Sequence, residues 1–379
     1  MIKVGITGQA GFIGTHLYNT LGLFPEEFKR IPFEDNFFDD ENKLNEFVKS
    51  CDSIVHLAAM NRHENPDIIY ETNIRLVKQL IAACENTKAR PHILFSSSTQ
   101  EERDNLYGKS KREGRKLLSD WALENNGCFT GLIIPNVFGA FGLPFYNSVV
   151  ATFCHQLSHN EIPKINVDGT LKLIYVGELI NEIIEHIIAM SNRDDYSGIA
   201  DEVYVNHTAE ISVSKLLKQL TEYKELYFEN GIMPDLTNPF NRNLFNTFVC
   251  YIDHASFFPF NLKFHTDDRG VFVETIKLNS GGQVSFSTTK PGITRGNHFH
   301  TRKAERFAVI KGKARIELRR IGTNKILSFE LDGSQPSFVD MPIWFTHNIT
   351  NIGDEDVYTI FWINEHYDAM DADTFFEVV

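Results

Sequence analysis

Two different spacings of hydrophobic residues divide the chain. As far as about Leu226, short apolar runs alternate with longer stretches in which apolar residues recur every three or four positions. The short runs are typical of buried strands and the longer ones of amphipathic helices, and their alternation indicates βαβ units around a parallel sheet. The predicted strands are Ile2–Thr7, 52–57, 92–97 and 132–134, and the predicted helices are Phe12–Leu21, 67–84, 107–125 and 177–190.

The remainder of the chain carries the pattern of an all-β fold. Asn, Pro and Phe are frequent between residues 233 and 248, and short runs beyond them alternate between apolar and polar residues. In the run 311–319, Ile316 and Leu318 alternate with charged residues, as in a half-buried strand. Several such runs separated by Gly or Asn turns predict a barrel or a sandwich. We therefore predict two domains, 1–248 and 249–379.

Charge and cysteine content narrow the classes of function. The 379 residues include 37 Lys+Arg and 50 Asp+Glu, a net charge of −13, which argues against nucleic acid and anionic membranes as partners. No apolar run approaches the ~20 residues of a membrane span, and the N-terminus does not resemble a signal peptide. The five cysteines are scattered without a CxxC pair. We therefore expect a reducing, cytoplasmic setting.

A glycine-rich turn joins the first predicted strand to the first predicted helix. Gly8, Gly11 and Gly14 follow one another with the spacing GxxGxxG. Glycines at such a turn let the backbone approach a pyrophosphate, whose oxygens then face the unpaired N–H groups of the helix N-terminus. The position of the turn between strand and helix favours a dinucleotide site over an ordinary turn.

Tyr107 and Lys111 form a YxxxK pair in the predicted helix 107–125. Residues at i and i+4 share one helix face, and a neighbouring ammonium lowers the pKa of a phenol by favouring the phenolate. We expect the tyrosine to exchange a proton with a substrate oxygen near neutral pH. The other cations of this helix are interpreted as a solvated face: Lys109, Arg112, Arg115 and Lys116.

These features together resemble the short-chain dehydrogenase/reductase family, in particular its extended branch that acts on sugar nucleotides. The sequence 55–59 resembles the family's segment against the cofactor, and 95–98 resembles the strand end that carries the catalytic serine. The sequence 135–139 resembles the segment beside the nicotinamide and the sugar. The resemblance implies an α/β first domain with a Rossmann-type, doubly wound parallel sheet.

The same resemblance implies roles for individual residues. Tyr107 and Lys111 would be catalytic together with a serine, for which we take Ser98, with Ser97 and Thr99 as alternatives. Only eight residues separate Ser98 from Tyr107, fewer than the family usually has. The residues implied to bind the cofactor are Gly8, Gly11, Phe12, Ile13, Gly14, Leu57, Ala58, Ala59, Tyr107, Lys111 and Pro135.

A further strand predicted near residues 28–33, the second in chain order, bears on the choice between NAD and NADP. NAD enzymes usually place an acidic residue at its end, where it binds the ribose hydroxyls. Lys29 and Arg30 stand there instead, and Glu34 and Asp35 follow. Because a cation suits a 2′-phosphate, we predict NADP(H) as cofactor and Arg30 as a binding residue. The alternative is that both cations are plain surface charges.

Four residues of the second domain have the spacing of metal ligands. His298 and His300 project to the same side if they lie in one strand, since alternate residues of a strand point the same way. Glu305 and His347 can converge on them from neighbouring strands. Three imidazoles and a carboxylate suit a divalent transition metal. We expect zinc, while iron, manganese or nickel would suit the same ligands.

The segments around these residues resemble the two motifs of the cupin family. Gly292 begins a segment of the form G(x)5HxH(x)4E(x)6G, and Pro342 begins one of the form PxxxxHxxxN in which Trp344 replaces the motif's glycine. The resemblance implies a jelly-roll β-barrel with a metal site.

The segments 268–274 and 295–298 resemble the deoxysugar 3,5-epimerase branch of cupins, which works without metal and has glutamine where His300 stands. A base role and a ligand role therefore compete for His298, because a ligated nitrogen cannot also accept a proton.

The combination of the two domains, together with the segments 147–153 and 373–378, resembles the CapF-like family of bifunctional capsular polysaccharide enzymes and its lipopolysaccharide counterparts. The resemblance implies a UDP-sugar substrate and a step towards UDP-N-acetyl-L-fucosamine. The cupin would epimerise carbon 3 of a UDP-linked 4-keto-6-deoxy-N-acetylhexosamine, and the dehydrogenase would reduce the ketone with NADPH to UDP-N-acetyl-6-deoxy-L-talosamine.

Both component families commonly form dimers, so we also expect a homodimer. Two alternative functions are a cupin metal oxygenase fused to a nucleotide-binding domain, and a redox sensor that binds NADP without catalysis.

Overall fold

The computed structural model describes residues 1–193 and 197–379, which form two compact units. The first unit consists of Met1–Phe138, Phe145–Ser148 and, among the described residues, Thr170–Ile211. The second consists of Gly139–Pro144, Val149–Gly169 and Ser212–Val379.

The helices and strands up to residue 212 agree with the predicted alternation. They are β1 (Ile2–Thr7), α1 (Phe12–Leu21), β2 (Phe28–Ile31), α2 (Glu41–Ser50), β3 (Ser53–His56), α3 (Pro66–Thr87), β4 (His92–Ser98), α4 (Leu106–Glu124), β5 (Cys128–Ile134), β6 (Asn136–Phe138), α5 (Val149–Ser158), β7 (Thr170–Tyr175), α6 (Val176–Ser191), β8 (Ile199–Tyr204) and β9 (Ala209–Ser212).

The first unit is built on a six-stranded parallel sheet of order β2-β1-β3-β4-β5-β8. The strand order reverses beside β1, whose two neighbours are β2 and β3. In open parallel sheets, ligands bind at the carboxyl ends of the strands where the order reverses. The sheet confirms the predicted Rossmann-type fold, and it places the glycine-rich turn after β1 at this binding edge.

The second unit continues with short helices and many strands. They are α7 (Val213–Tyr223), β10 (Ile232–Met233), α8 (Pro239–Val249), α9 (His254–Phe257), β11 (Phe260–Asn261), β12 (Phe264–Asp267), β13 (Gly270–Val273), β14 (Lys277–Leu278), β15 (Gln283–Thr289), β16 (Thr294–Phe299), β17 (Glu305–Lys311), β18 (Lys313–Arg320), β19 (Ile326–Asp332), β20 (Ser337–Met341), β21 (Phe345–Asn351), β22 (Val357–Ile363) and β23 (Phe375–Phe376).

Two antiparallel sheets of five strands each dominate the second unit. Their orders are β11-β20-β17-β22-β15 and β19-β18-β21-β16-β23. In β18 the side chains of Ala314, Ile316 and Leu318 are fully buried in the core, while the charged residues between them are less buried. The predicted all-β fold of the second part is thereby confirmed, because the period-two pattern gives each strand one apolar face.

Residues 212–248 pack with the second unit, although the predicted boundary at residue 248 assigned them to the first domain. The Tyr227 hydroxyl donates to Asp340 at 2.8 Å, and Arg306 donates to the Gly231 carbonyl at 2.6 Å. These buried polar contacts tie the helical segment to the sheets. The compact units describe packing, and the domain boundary at residue 248 stays a prediction.

Among the described residues, the helices include none that is long and apolar enough to cross a membrane.

Candidate active sites

The glycine-rich turn is as tight as its sequence predicts. Gly8 has φ +69°, and a Cβ there would lie 2.8 Å from the Ala58 backbone nitrogen. A Cβ on Gly14 would lie 2.3 Å from the Gly8 carbonyl oxygen. Gly11 precedes the first turn of α1, which contains Phe12 and Ile13 and has no acidic residue. The N–H groups of this turn can therefore receive a phosphate, as at other helix N-termini.

The segment after β3 lies beside this turn. Leu57 donates its backbone N–H to the Thr7 carbonyl at 3.2 Å, and Ala58 donates to the Thr7 hydroxyl at 3.3 Å. The structure thus brings the predicted cofactor-binding segment 57–59 to the glycine-rich turn. Pro135 directly follows β5, at the same carboxyl edge of the sheet.

Arg30 contacts the C-terminal half of α1. Its guanidinium lies over the Tyr18 ring at 4.2 Å and donates to the Tyr18 carbonyl at 3.2 Å. Tyr18 belongs to the C-terminal half of α1, whereas the turn precedes the helix N-terminus. A guanidinium suits this position because helix C-termini favour cations. The role of Arg30 towards a 2′-phosphate remains a prediction.

Tyr107 and Lys111 lie together in the first turns of α4, over the end of β4. The Lys111 ammonium is 5.8 Å from the centre of the Tyr107 ring and donates to the Ser96 carbonyl at 2.8 Å. Only 3% of Lys111 is exposed. Burial lowers the pKa of Lys111 to about 8, against the opposing effect of Glu101.

The expected lowering of the tyrosine pKa is not seen. Burial of the phenol, together with the nearby Tyr146, raises the pKa of Tyr107 to about 12. The sequence gives the helix face that the two residues share, but it does not give the loss of hydration, which dominates here. Tyr107 is therefore protonated at neutral pH and suited to act as an acid.

Three hydroxyls at the end of β4 were candidates for the catalytic serine, and their surroundings differ. Ser97 is buried and donates to the Glu101 carboxylate. Thr99 is exposed. Ser98 is half-buried, and its oxygen accepts the Gln100 N–H at 3.2 Å, which leaves its own proton available to a ligand. This difference supports Ser98 over Ser97 and Thr99.

A buried ion pair holds the short connection between Ser98 and Tyr107, and sequence reasoning missed it. Glu101 accepts from Arg115 at 2.9 and 2.8 Å, so Arg115 is not part of the solvated helix face that we predicted. A Cβ on Gly108 would lie 2.2 Å from the Gln100 carbonyl oxygen, which explains how the connection packs so tightly on α4. No sign of this ion pair is visible in the sequence, because Glu101 stands in a run of polar residues, 96–105.

In the second unit, the four predicted metal ligands converge, with all their ligand atoms within 4.8 Å of one another. A β-bulge at Asn297 shifts the register of β16 so that His298 lies opposite His347 of β21. Burial and the two neighbouring imidazoles lower the pKa of His298 to about 4, so it is neutral, as a metal ligand must be.

The polar atoms at the centre of this cluster fit a cation. The Nε2 atoms of His300 and His347 lie 3.1 and 3.3 Å from Oε2 of Glu305, and these three buried atoms have no hydrogen-bond partner among the described residues. The Nδ1 atoms face the carbonyl oxygens of Asp373 and Phe345. Because a carbonyl only accepts, Nδ1 carries the proton and Nε2 presents its lone pair to the centre. Imidazole lone pairs that converge beside a carboxylate form a suitable ligand set for a divalent metal.

Trp344 replaces a motif glycine and keeps the backbone conformation that a glycine would adopt. Its φ is +62°, and its backbone N–H donates to the His300 carbonyl at 2.8 Å. This conformation is costly for a residue with a side chain. The contact links the connection before β21, which carries His347, to His300.

Comparison with known proteins relates this chain to enzymes of sugar nucleotides. Residues 4–192 match the NAD dependent epimerase/dehydratase family, and residues 265–375 match the polysaccharide biosynthesis C-terminal domain. The chain is 33% identical over 380 residues to UDP-2-acetamido-2,6-beta-L-arabino-hexul-4-ose reductase of Pseudomonas aeruginosa, with 99% of this chain and 98% of that protein covered.

Solved structures give the same relation. The crystal structure of capsular polysaccharide assembling protein CapF from Staphylococcus aureus is 33% identical, with 100% of both chains covered and a TM-score of 0.62. The structure of RMD from Pseudomonas aeruginosa complexed with NADPH is 16% identical and has a TM-score of 0.52, with 59% of this chain and 84% of that chain covered. This second similarity shows the fold alone.

Proposed function

This chain belongs to the CapF-like family of bifunctional epimerase/reductases, and we propose that it acts on a UDP-linked 4-keto-6-deoxy-N-acetylhexosamine. The second unit epimerises carbon 3, and the first unit then reduces the ketone with NADPH. The product is UDP-N-acetyl-6-deoxy-L-talosamine, a precursor of L-fucosamine for capsule or O-antigen. The observation that carries the proposal is that one chain, related over its full length to a UDP-sugar ketone reductase, holds both the Tyr107 site and the four-ligand cluster.

For the reduction, NADPH bound at the glycine-rich turn would supply a hydride to carbon 4. Tyr107 donates its proton to the ketone oxygen, in keeping with a raised pKa that keeps the phenol protonated. The Ser98 hydroxyl donates a hydrogen bond to the same oxygen. The Lys111 ammonium stabilises the phenolate that remains after proton transfer.

For the epimerisation, the ketone at carbon 4 acidifies the hydrogen at carbon 3. A divalent metal, for which we propose zinc, would polarise the ketone or hold the strands together. The convergence of His298 with the other three ligand atoms supports a ligand role for it rather than a base role. The two antiparallel sheets that carry the cluster support a cupin jelly roll.

Exposed apolar side chains on three strands of the second unit support the proposed homodimer. The strands β12 and β13 form a two-stranded sheet of their own, in which Phe264, Val271 and Phe272 are exposed. The edge strand β15 exposes Val284 and Phe286. Isolated hairpins are marginally stable in water, and exposed apolar edges favour association, so a second copy of the chain is the partner we propose for these strands.

The test of the function is the reaction itself. Purified protein with NADPH and the 4-keto UDP-sugar should oxidise NADPH in proportion to sugar consumed, and nuclear magnetic resonance should identify the talo product. Absence of NADPH oxidation with this sugar would contradict the proposal, as would a product with unchanged stereochemistry at carbon 3.

A further inference from the structure

The carboxylate of Asp373 holds the connection between two strands that carry metal-ligand candidates. Its Oδ1 accepts from the backbone N–H and the hydroxyl of Thr301, at 3.1 and 2.6 Å. Its Oδ2 accepts from the N–H groups of Arg302 and Lys303, both at 3.0 Å. One buried side chain therefore satisfies three consecutive N–H groups directly after His300.

The backbone of Asp373 contacts the ligand candidate itself. His300 donates from Nδ1 to the Asp373 carbonyl oxygen at 2.6 Å. This contact fixes the tautomer of His300 and turns its Nε2 towards Glu305. Asp373 has the left-handed φ of 42°, so its carbonyl direction depends on a backbone conformation that the carboxylate contacts hold in place.

We propose that Asp373 is a positioning residue of the metal site. It acts through His300, whose orientation it fixes, and not through the ligand atoms of Glu305 or His347. The inference rests on the metal site proposed above. Groups that orient metal ligands typically change metal affinity about 10- to 100-fold when they are removed.

Asp373→Asn is the sharpest variant. Asparagine tolerates a left-handed φ, so the backbone conformation can be kept. Its Oδ1 can still accept from Thr301, but its amide nitrogen faces the N–H groups of Arg302 and Lys303, and donors then oppose donors. We expect the dissociation constant for zinc, measured by chelator competition on the full chain, to rise about 10- to 100-fold.

Asp371→Asn is the matched control. Asp371 lies two residues away and is largely exposed, and its carboxylate contacts Arg302 at the surface. An exposed ion pair contributes little, so the dissociation constant for zinc should change less than about threefold. Thr301→Val, which removes one donor from Asp373, gives a milder variant and should weaken zinc binding in the same direction as Asp373→Asn.

A double variant separates a purely structural role of Asp373 from a positioning role, because only positioning requires that His300 be present. In a His300→Gln background, Asp373→Asn should change the remaining zinc affinity less than about twofold, since the side chain that it orients is gone. The visible spectrum of the cobalt(II) form should change in Asp373→Asn and stay as in the wild type in Asp371→Asn.

The outcomes distinguish this inference from the metal site on which it rests. If the wild-type chain binds neither zinc nor cobalt, the metal site fails and the inference with it. If the wild type binds zinc while Asp373→Asn and Thr301→Val bind it equally well, the inference alone is wrong. An equal loss of affinity with and without His300 would also overturn it, because it would show general damage to the strand connection.

Discussion

Replacing the buried Lys111 should raise the stability of the folded chain while it lowers the rate of NADPH oxidation. Burial lowers its pKa from 10.5 to about 8, a difference that corresponds to about 3 kcal/mol of destabilisation of the charged form in the folded chain. Lys111→Met keeps the length of the side chain and removes the charge. It also removes the hydrogen bond to the Ser96 carbonyl, worth about 1 kcal/mol. At about pH 7 we expect the variant to be more stable than the wild type by about 2 kcal/mol.

The dependence on pH follows from proton binding. Between about pH 8 and pH 10.5 the unfolded chain binds the Lys111 proton and the folded chain does not, so wild-type stability rises with pH relative to the variant. The advantage of Lys111→Met is therefore full below about pH 8 and lost near pH 10.5.

Urea unfolding of the cofactor-free proteins at about pH 7 and about pH 10 measures both effects. Lys109→Met is the matched control, because Lys109 lies on the same helix with its side chain 54% exposed, and its removal should be neutral at both values. The reasoning is refuted if Lys111→Met is less stable than the wild type at about pH 7, or if its advantage does not shrink as the pH rises. Retention of NADPH oxidation by this variant would separately refute the catalytic role of Lys111.

Three further predictions concern the two proposed sites. Tyr107→Phe should lower the rate of NADPH oxidation about 100- to 10,000-fold and leave the dissociation constant for NADPH within about twofold in a fluorescence titration; a rate near that of the wild type would exclude Tyr107 as the acid. Gly8→Ala should abolish NADPH binding in the same titration, because its Cβ would meet the Ala58 backbone at 2.8 Å; unchanged binding would show that the turn does not hold the cofactor. Removal of the metal by a chelator should stop epimerisation and spare NADPH binding. Epimerisation is measured as exchange of the carbon 3 hydrogen with solvent, and its return when zinc is added back would confirm the cause. Exchange that survives metal removal would leave the ion at most a structural role.

Features that depend on local periodicity were predictable from the sequence. The strand β1 and the helix α1 have the predicted bounds, and the other predicted elements differ by a few residues. The convergence of the four candidate ligands was predictable from the motif spacing, although His300 lies just beyond the end of β16 and not within it. The bulge at Asn297 was not, since it depends on how β16 pairs with a distant strand.

Features that depend on hydration and on distant partners were missed. The pKa of Tyr107 is set by burial, which the i and i+4 spacing does not reveal. The contact of Arg30 with Tyr18 was not predicted, because a charge near a strand end does not show which partner it takes; its role towards a 2′-phosphate stays a prediction. Asp373 lies 73 residues from His300 in the chain, and the sequence does not show that the two are partners, so only the folded structure brings them together.

If two separate sites act on one sugar in sequence, the exchange of solvent hydrogen at carbon 3 does not depend on the reduction at carbon 4. The measurement is deuterium incorporation at carbon 3 of the 4-keto UDP-sugar in deuterated water, with and without NADPH, for the wild type, Tyr107→Phe and His347→Ala. We expect Tyr107→Phe still to exchange the hydrogen at carbon 3 but not to reduce the ketone. We expect His347→Ala not to exchange this hydrogen, yet to oxidise NADPH when given the already epimerised ketone. Loss of exchange in Tyr107→Phe, or normal exchange in His347→Ala, would show that the two sites do not act in this way.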